Sequence, residues 1–146
     1  MYDHLVTMGY KPIFLVFSTS GDEGQNDLTY IRKVMLGKTY NTTKNITQTL
    51  DMIPFLYAMI GMRLHAGILA CVHEIPYLPI SYGPKTDDLI YTLGIEHLAL
   101  IAKSITIEGF DSNWQSLVSN YDNEKMNMRD RHLSIRDQLI KTLRNI

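Results

Sequence analysis

Four short apolar runs, at residues 13–17, 58–62, 77–82 and 98–101, alternate along the chain with segments whose apolar residues recur at helical spacing. Runs this short with apolar residues at nearly every position read as strands buried on both faces, which is the signature of a parallel sheet. The helical segments fill the gaps. Residues 1–8 carry Leu5 and Met8 on one side, with Gly9 as a stop. Asp27 opens a helix patterned by Ile31, Val34 and Met35, and residues 46–55 keep a helical pattern despite Pro54. Leu64, Ile68, Cys71 and Val72 mark one face of a helix that directly follows a strand. Asp87 to Leu93 forms a short helix closed by Gly94, Phe110 to Val118 another, and residues 123–146 the longest. Residues 38–42 form a weak run that suits a short edge strand. The alternation predicts βαβ units, hence an α/β Rossmann-like three-layer domain with a mostly parallel sheet, spanning residues 1–146 as one domain. Sites in such sheets lie at the carboxyl ends of the strands, which singles out residues 18–26, 63–65 and 81–85.

The chain is long enough to stand on packing alone, because 146 residues with 45% hydrophobic side chains bury a full core without disulfide or metal. Its single cysteine, Cys71, excludes an internal disulfide and a multi-cysteine metal site, and no metal-ligand spacing is visible. Fourteen Lys and Arg balance fifteen Asp and Glu with no block of either sign, so no nucleic-acid partner is expected. Met1-Tyr2-Asp3-His4 has no basic n-region leading into an apolar stretch, so no signal peptide is expected. The one membrane-like stretch, residues 55–72, carries Arg63 and His65 near its centre and reads as a buried strand and helix instead of a span. The expected location is the cytoplasm, or the inner face of the membrane as a peripheral protein. The two glycosylation sequons at Asn41 and Asn45 are read as chance matches. A mixed stripe along residues 123–146, built on Met128, Ile135, Leu139, Leu143 and Ile146 and widened by Met126, Leu133 and Ile140, is expected to pack with a solvated basic face opposite.

Gly61-Met62-Arg63-Leu64-His65-Ala66 places a guanidinium and an imidazole at a strand-to-helix junction, where helix amides also favour an anion. Arg63 can grip a phosphate or carboxylate with its planar fork, and His65 titrates near neutral pH and can act as acid or base. The alternative is a structural ion pair for Arg63 and a core histidine at His65. Ser81-Tyr82-Gly83-Pro84-Lys85 follows the next strand and brings a second cation to the same rim. The loop at 18–24 has small residues but neither phosphate-loop pattern, so it reads as a turn. Cys71 and His73, two apart on a helix, point to different sides and make no nucleophilic dyad.

At these residues the chain resembles the polysaccharide pyruvyl transferases, whose members carry a GxRLHA segment followed by P-x-x-x-I-S-Y-x-x-K. Here these stand as Gly61-Met62-Arg63-Leu64-His65-Ala66 and as Pro76-Tyr77-Leu78-Pro79-Ile80-Ser81-Tyr82-Gly83-Pro84-Lys85, with Leu93-Gly94-Ile95 after them. Tyr57 departs from the pattern, standing close to where members often carry an acidic residue. The resemblance runs from about residue 13 to about residue 118. It implies the C-terminal half of a glycosyltransferase-B-like protein, with an N-terminal half expected to complete it. It also implies transfer of a pyruvyl group from phosphoenolpyruvate, as substrate and not as a bound cofactor, to a sugar diol, giving a cyclic ketal in exopolysaccharide or cell-wall assembly. His65 would be catalytic, with Arg63, Leu64, Lys85, Ser81 and Tyr82 binding substrate and no metal. Two other readings are the nucleotide-sugar-binding half of a glycosyltransferase, and a non-catalytic remnant that associates with a partner. The chain is also open to homo-oligomerisation.

Overall fold

The computed structural model describes residues 1–21 and 26–144. Short parallel strands in small sheets alternate with helices, an α/β fold. The chain divides into two compact units, Met1–Pro54 and Phe55–Ile146.

In the first unit, α1 (Tyr2–Thr7) precedes β1 (Ile13–Phe14), α2 (Asp27–Val34), β2 (Asn41–Thr42) and α3 (Ile46–Met52). β1 and β2 pair in parallel, Ile13 with Asn41 and Phe14 with Thr42. Val16, Ile31 and Met35 form the core, with Phe14 stacked on Tyr2 and meeting Tyr40 edge-on. The strand expected over 13–17 stops at Phe14 for a physical reason. The Val16 N–H is shared by the buried hydroxyls of Thr43 and Thr49 at 2.9 and 3.1 Å, and the Thr49 hydroxyl donates to the Val16 carbonyl at 2.7 Å. With the Thr49 proton committed, Thr43 donates to Thr49 at 2.7 Å. Side chains thus replace the next rung of the ladder. The expected edge strand over 38–42 is likewise confined to Asn41–Thr42. Asn45, half of a sequon, is the N-cap of α3 and accepts from the Gln48 N–H at 2.9 Å. The helix expected over 46–55 passes into a 3-10 turn at Ile53–Phe55, where Pro54 has no N–H to extend it.

In the second unit, β3 (Met59–Gly61), β4 (Tyr77–Ser81) and β5 (Leu100–Ile101) form a parallel sheet in that order. α4 (Leu64–Val72) joins β3 to β4, and α5 (Pro84–Leu93) lies between β4 and β5. α6 (Ile107–Ser119) and α7 (Tyr121–Arg144) follow. A proline in the central strand is unusual, but β5 pairs only with Ile80 and Ser81, so that ladder begins just past Pro79, which has no N–H to give. Leu78, Leu93, Leu98, Phe110 and Leu117 are fully buried in this unit's core.

The helix at 64–72 is present, but its inward face is not the one its large residues mark. Ala66, Gly67, Ala70 and Cys71 are buried, while Ile68 and Val72 are exposed. The reason is close approach: a Cβ on Gly67 would lie 2.6 Å from Leu89 Cδ2 and 2.9 Å from Tyr77 Cε1, so the small residues let α4 settle onto β4 and α5. The same finding corrects the expectation that residues 55–72 are buried throughout. The stripe of the last helix is corrected too. Met128 is buried and Leu133 and Ile135 half-buried, yet Met126, Leu139, Ile140 and Leu143 are exposed, so the helix packs only over its first half. Ile146 lies outside the described residues. No helix among the described residues is long and apolar enough to cross a membrane.

Candidate functional site

The two junctions singled out in the sequence follow adjacent strands. β3 ends at Gly61 and β4 at Ser81, paired in parallel register, so the residues that leave them share one carboxyl edge with about 4.8 Å between strands. Arg63 stands at the N-cap of α4 in extended backbone and is half-buried, with no side-chain cap on the helix. Leu64 and His65 are its first two residues, Leu64 half-buried and His65 exposed. A core role for His65 is therefore overturned. Below this junction the Tyr77 hydroxyl donates to the Gly61 carbonyl at 2.6 Å, fixing the strand end, and burial pushes the Tyr77 phenol well up.

The second junction is held by its own side chains. Pro84 occupies the first position of α5, and the buried Thr86 hydroxyl donates to the Gly83 carbonyl at 2.7 Å. The same oxygen accepts from the Tyr82 and Gly83 amides at 3.2 and 3.3 Å. Ser81 is buried and donates its hydroxyl to Asp87, with Thr86 Oγ1 at 3.4 Å. Tyr82 and Lys85 are exposed on the rim. α5 begins at Pro84, three residues before the expected Asp87, and this places Lys85 in its first turn. After β5 the exposed Lys103 adds a further cation to the same edge. Thr86, Asp87 and Lys103 were not read as site residues from the sequence, Asp87 appearing there only as a helix start, although Thr and Asp soon after Gly-Pro signal helix-start chemistry.

The third place, residues 18–26, belongs to the first unit, and Asp22, Glu23, Gly24 and Gln25 lie outside the described residues. There Asp27 Oδ2 accepts from the amides of Phe17 and Ser18 at 2.7 and 2.9 Å, occupying donors a bound anion would need. Cys71 is buried, with its sulfur 3.8 Å from the Met128 carbonyl, and burial followed by the Glu74 charge pushes its thiol up. Its neighbour His73 is exposed. Among the described residues no group of three His, Cys, Asp or Glu side chains could hold a metal ion.

Compared with protein-family models, with curated proteins and with solved structures, the chain matches none.

Proposed function

We propose that the second unit is the donor-binding part of a polysaccharide pyruvyl transferase, and that the chain is a Rossmann-like, C-terminal half of a glycosyltransferase-B-like protein. The observation that carries this reading is the shared carboxyl edge of β3 and β4, which gathers Arg63, His65 and Lys85 on one rim. Phosphoenolpyruvate offers a carboxylate and a phosphate, and two cations beside an α4 start without a side-chain cap suit both. The reaction balances without oxidant or reductant. A first sugar hydroxyl bonds through oxygen to C2 of the enol, C3 gains a proton and the hydroxyl loses one. A second hydroxyl then bonds to C2 as the C2–O bond to phosphate breaks, its proton leaving with the phosphate, which gives the ketal and inorganic phosphate. His65 transfers a proton, Arg63 and Lys85 hold the donor, the half-buried Leu64 flanks it from the first turn of α4, and the exposed Tyr82 ring offers a face to the sugar.

Competition between phosphoenolpyruvate and a uridine nucleotide tests the class of ligand. Preference for phosphoenolpyruvate supports this reading, and preference for the nucleotide contradicts it in favour of a glycosyltransferase half. In the protein carrying both halves, His65→Ala is expected to lower turnover at least a hundredfold while leaving the melting temperature nearly unchanged, because the side chain is exposed. A folded and fully active alanine variant would contradict the role of His65. The remnant reading draws on exposed Leu139, Ile140 and Leu143, and predicts a concentration-dependent mass with no small-molecule binding.

A further inference from the structure

Addition of a hydroxyl across an enol double bond needs a proton delivered to C3 and another removed from the attacking oxygen. A single imidazole in one protonation state cannot do both in one step, so a second proton-transfer group belongs on the same rim. Asp87 has the placement such a group needs. It stands in the early part of α5, just after the carboxyl end of β4, and is exposed. Its carboxylate is also aimed from below. Ser81 is buried at the last position of β4, paired with Ile101 of β5, and its hydroxyl donates to Asp87 Oδ1. The neighbouring Thr86 oxygen already accepts from the Tyr82 and Gly83 amides with its own proton on the Gly83 carbonyl, which leaves Asp87 as the acceptor for the Ser81 proton. A carboxylate has about four lone-pair positions, so one bond from Ser81 fixes its direction and leaves room for a substrate hydroxyl. Asp88, the next residue on α5, is exposed and its side chain faces another direction by the turn of the helix.

We propose that Asp87 is the proton acceptor for the attacking hydroxyl and that Ser81 is the positioning residue that aims it. This rests on the pyruvyl-transfer reading, and it replaces a direct substrate contact by Ser81 with an indirect one. In the addition step the hydroxyl proton passes to Asp87 as the oxygen–C2 bond forms, while the enol electron pair takes a proton from the His65 imidazolium at C3.

Water can stand in for the sugar hydroxyl, converting phosphoenolpyruvate and water to pyruvate and inorganic phosphate. Phosphorus NMR of the 146-residue chain with phosphoenolpyruvate therefore reads binding and chemistry in one tube. Asp87→Asn keeps an oxygen for Ser81 and removes only the charge. It is expected to bind phosphoenolpyruvate within about twofold of the wild type and to release phosphate at least about tenfold more slowly. Ser81→Ala is expected to lower kcat with KM for phosphoenolpyruvate unchanged, a split that loss of fold would not give. Release by Asp87→Asn at the wild-type rate overturns the proposal and leaves the donor reading standing. Loss of binding together with release makes Asp87 a binding or structural group and also overturns it, as does a wild type that binds and releases no phosphate. A folded wild type that binds no phosphoenolpyruvate overturns the donor reading, and the proposal falls with it.

Discussion

The strand-to-helix junctions after β1 and after β3 look alike in sequence class and differ in what occupies them. After β1, small residues suggest a cradle for an anion, yet Asp27 turns back from the start of α2 and takes the Phe17 and Ser18 amides itself. After β3, the N-cap residue Arg63 makes no side-chain capping hydrogen bond to α4, and its guanidinium and an exposed imidazole stand at the helix start. The junction after β4 is intermediate, its amides taken by the neutral Thr86 while Lys85 and Asp87 remain on the rim. A junction that supplies its own carboxylate is a structural knot, and one that presents cations is a place for a ligand's charge. Glycines and small residues alone do not distinguish the two.

Breaking the knot has the largest expected effect. Asp27→Ala leaves two amides without their charged acceptor and is expected to cost about 3 kcal/mol, measured by urea denaturation. A loss below about 0.5 kcal/mol would show that solvent replaces the carboxylate freely.

Alkaline pH weakens the second unit. Burial, then the Glu74 charge, raises the Cys71 thiol on the inward face of α4, and burial raises the Tyr77 phenol on β4. Each group keeps its proton to a higher pH in the folded chain than in the unfolded one. Their stabilising contribution is therefore complete below the ordinary values and falls as pH rises past about 9 and then about 10, by up to about 1.4 kcal/mol per unit for each group. Trp114, buried in the same unit, reports the loss by fluorescence, and a melting temperature flat from pH 8 to 11 would contradict it. The smallest effect is expected at the neutral cap. Thr86→Ala should cost about 1 kcal/mol, and a change as large as that of Asp27→Ala would erase the distinction drawn between the junctions.

The order of elements was legible because β3, β4 and β5 fall within the apolar runs that announce them, but burial on both faces holds only along most of β4: β1 is half-buried, β3 is half-buried past Met59, and Ile101 of β5 is exposed. Strand length was not. β1 ends where hydroxyls from 27 and 33 residues along the chain take over Val16, and nothing near Val16 signals them. The inward face of α4 escaped for a related reason: hydrophobic spacing weighs Leu64, Ile68 and Val72 by size, whereas packing against Tyr77 and Leu89 selects the residues that are small. The rim residues Arg63, His65 and Lys85 follow from the carboxyl-end rule applied to two successive strands. The Ser81–Asp87 bond crosses a turn of six residues that the Thr86 hydroxyl closes, a geometry with no periodic trace in the sequence.

The central claim is that the α4 junction binds the donor. It is tested most directly by titrating phosphoenolpyruvate into the chain and into its Arg63→Ala variant, followed by phosphorus NMR. The account predicts a saturable shift in the wild type that weakens at least about tenfold in the variant, in keeping with loss of a charge-assisted bidentate contact. Equal affinity in both folded proteins, or no binding in either, would contradict it.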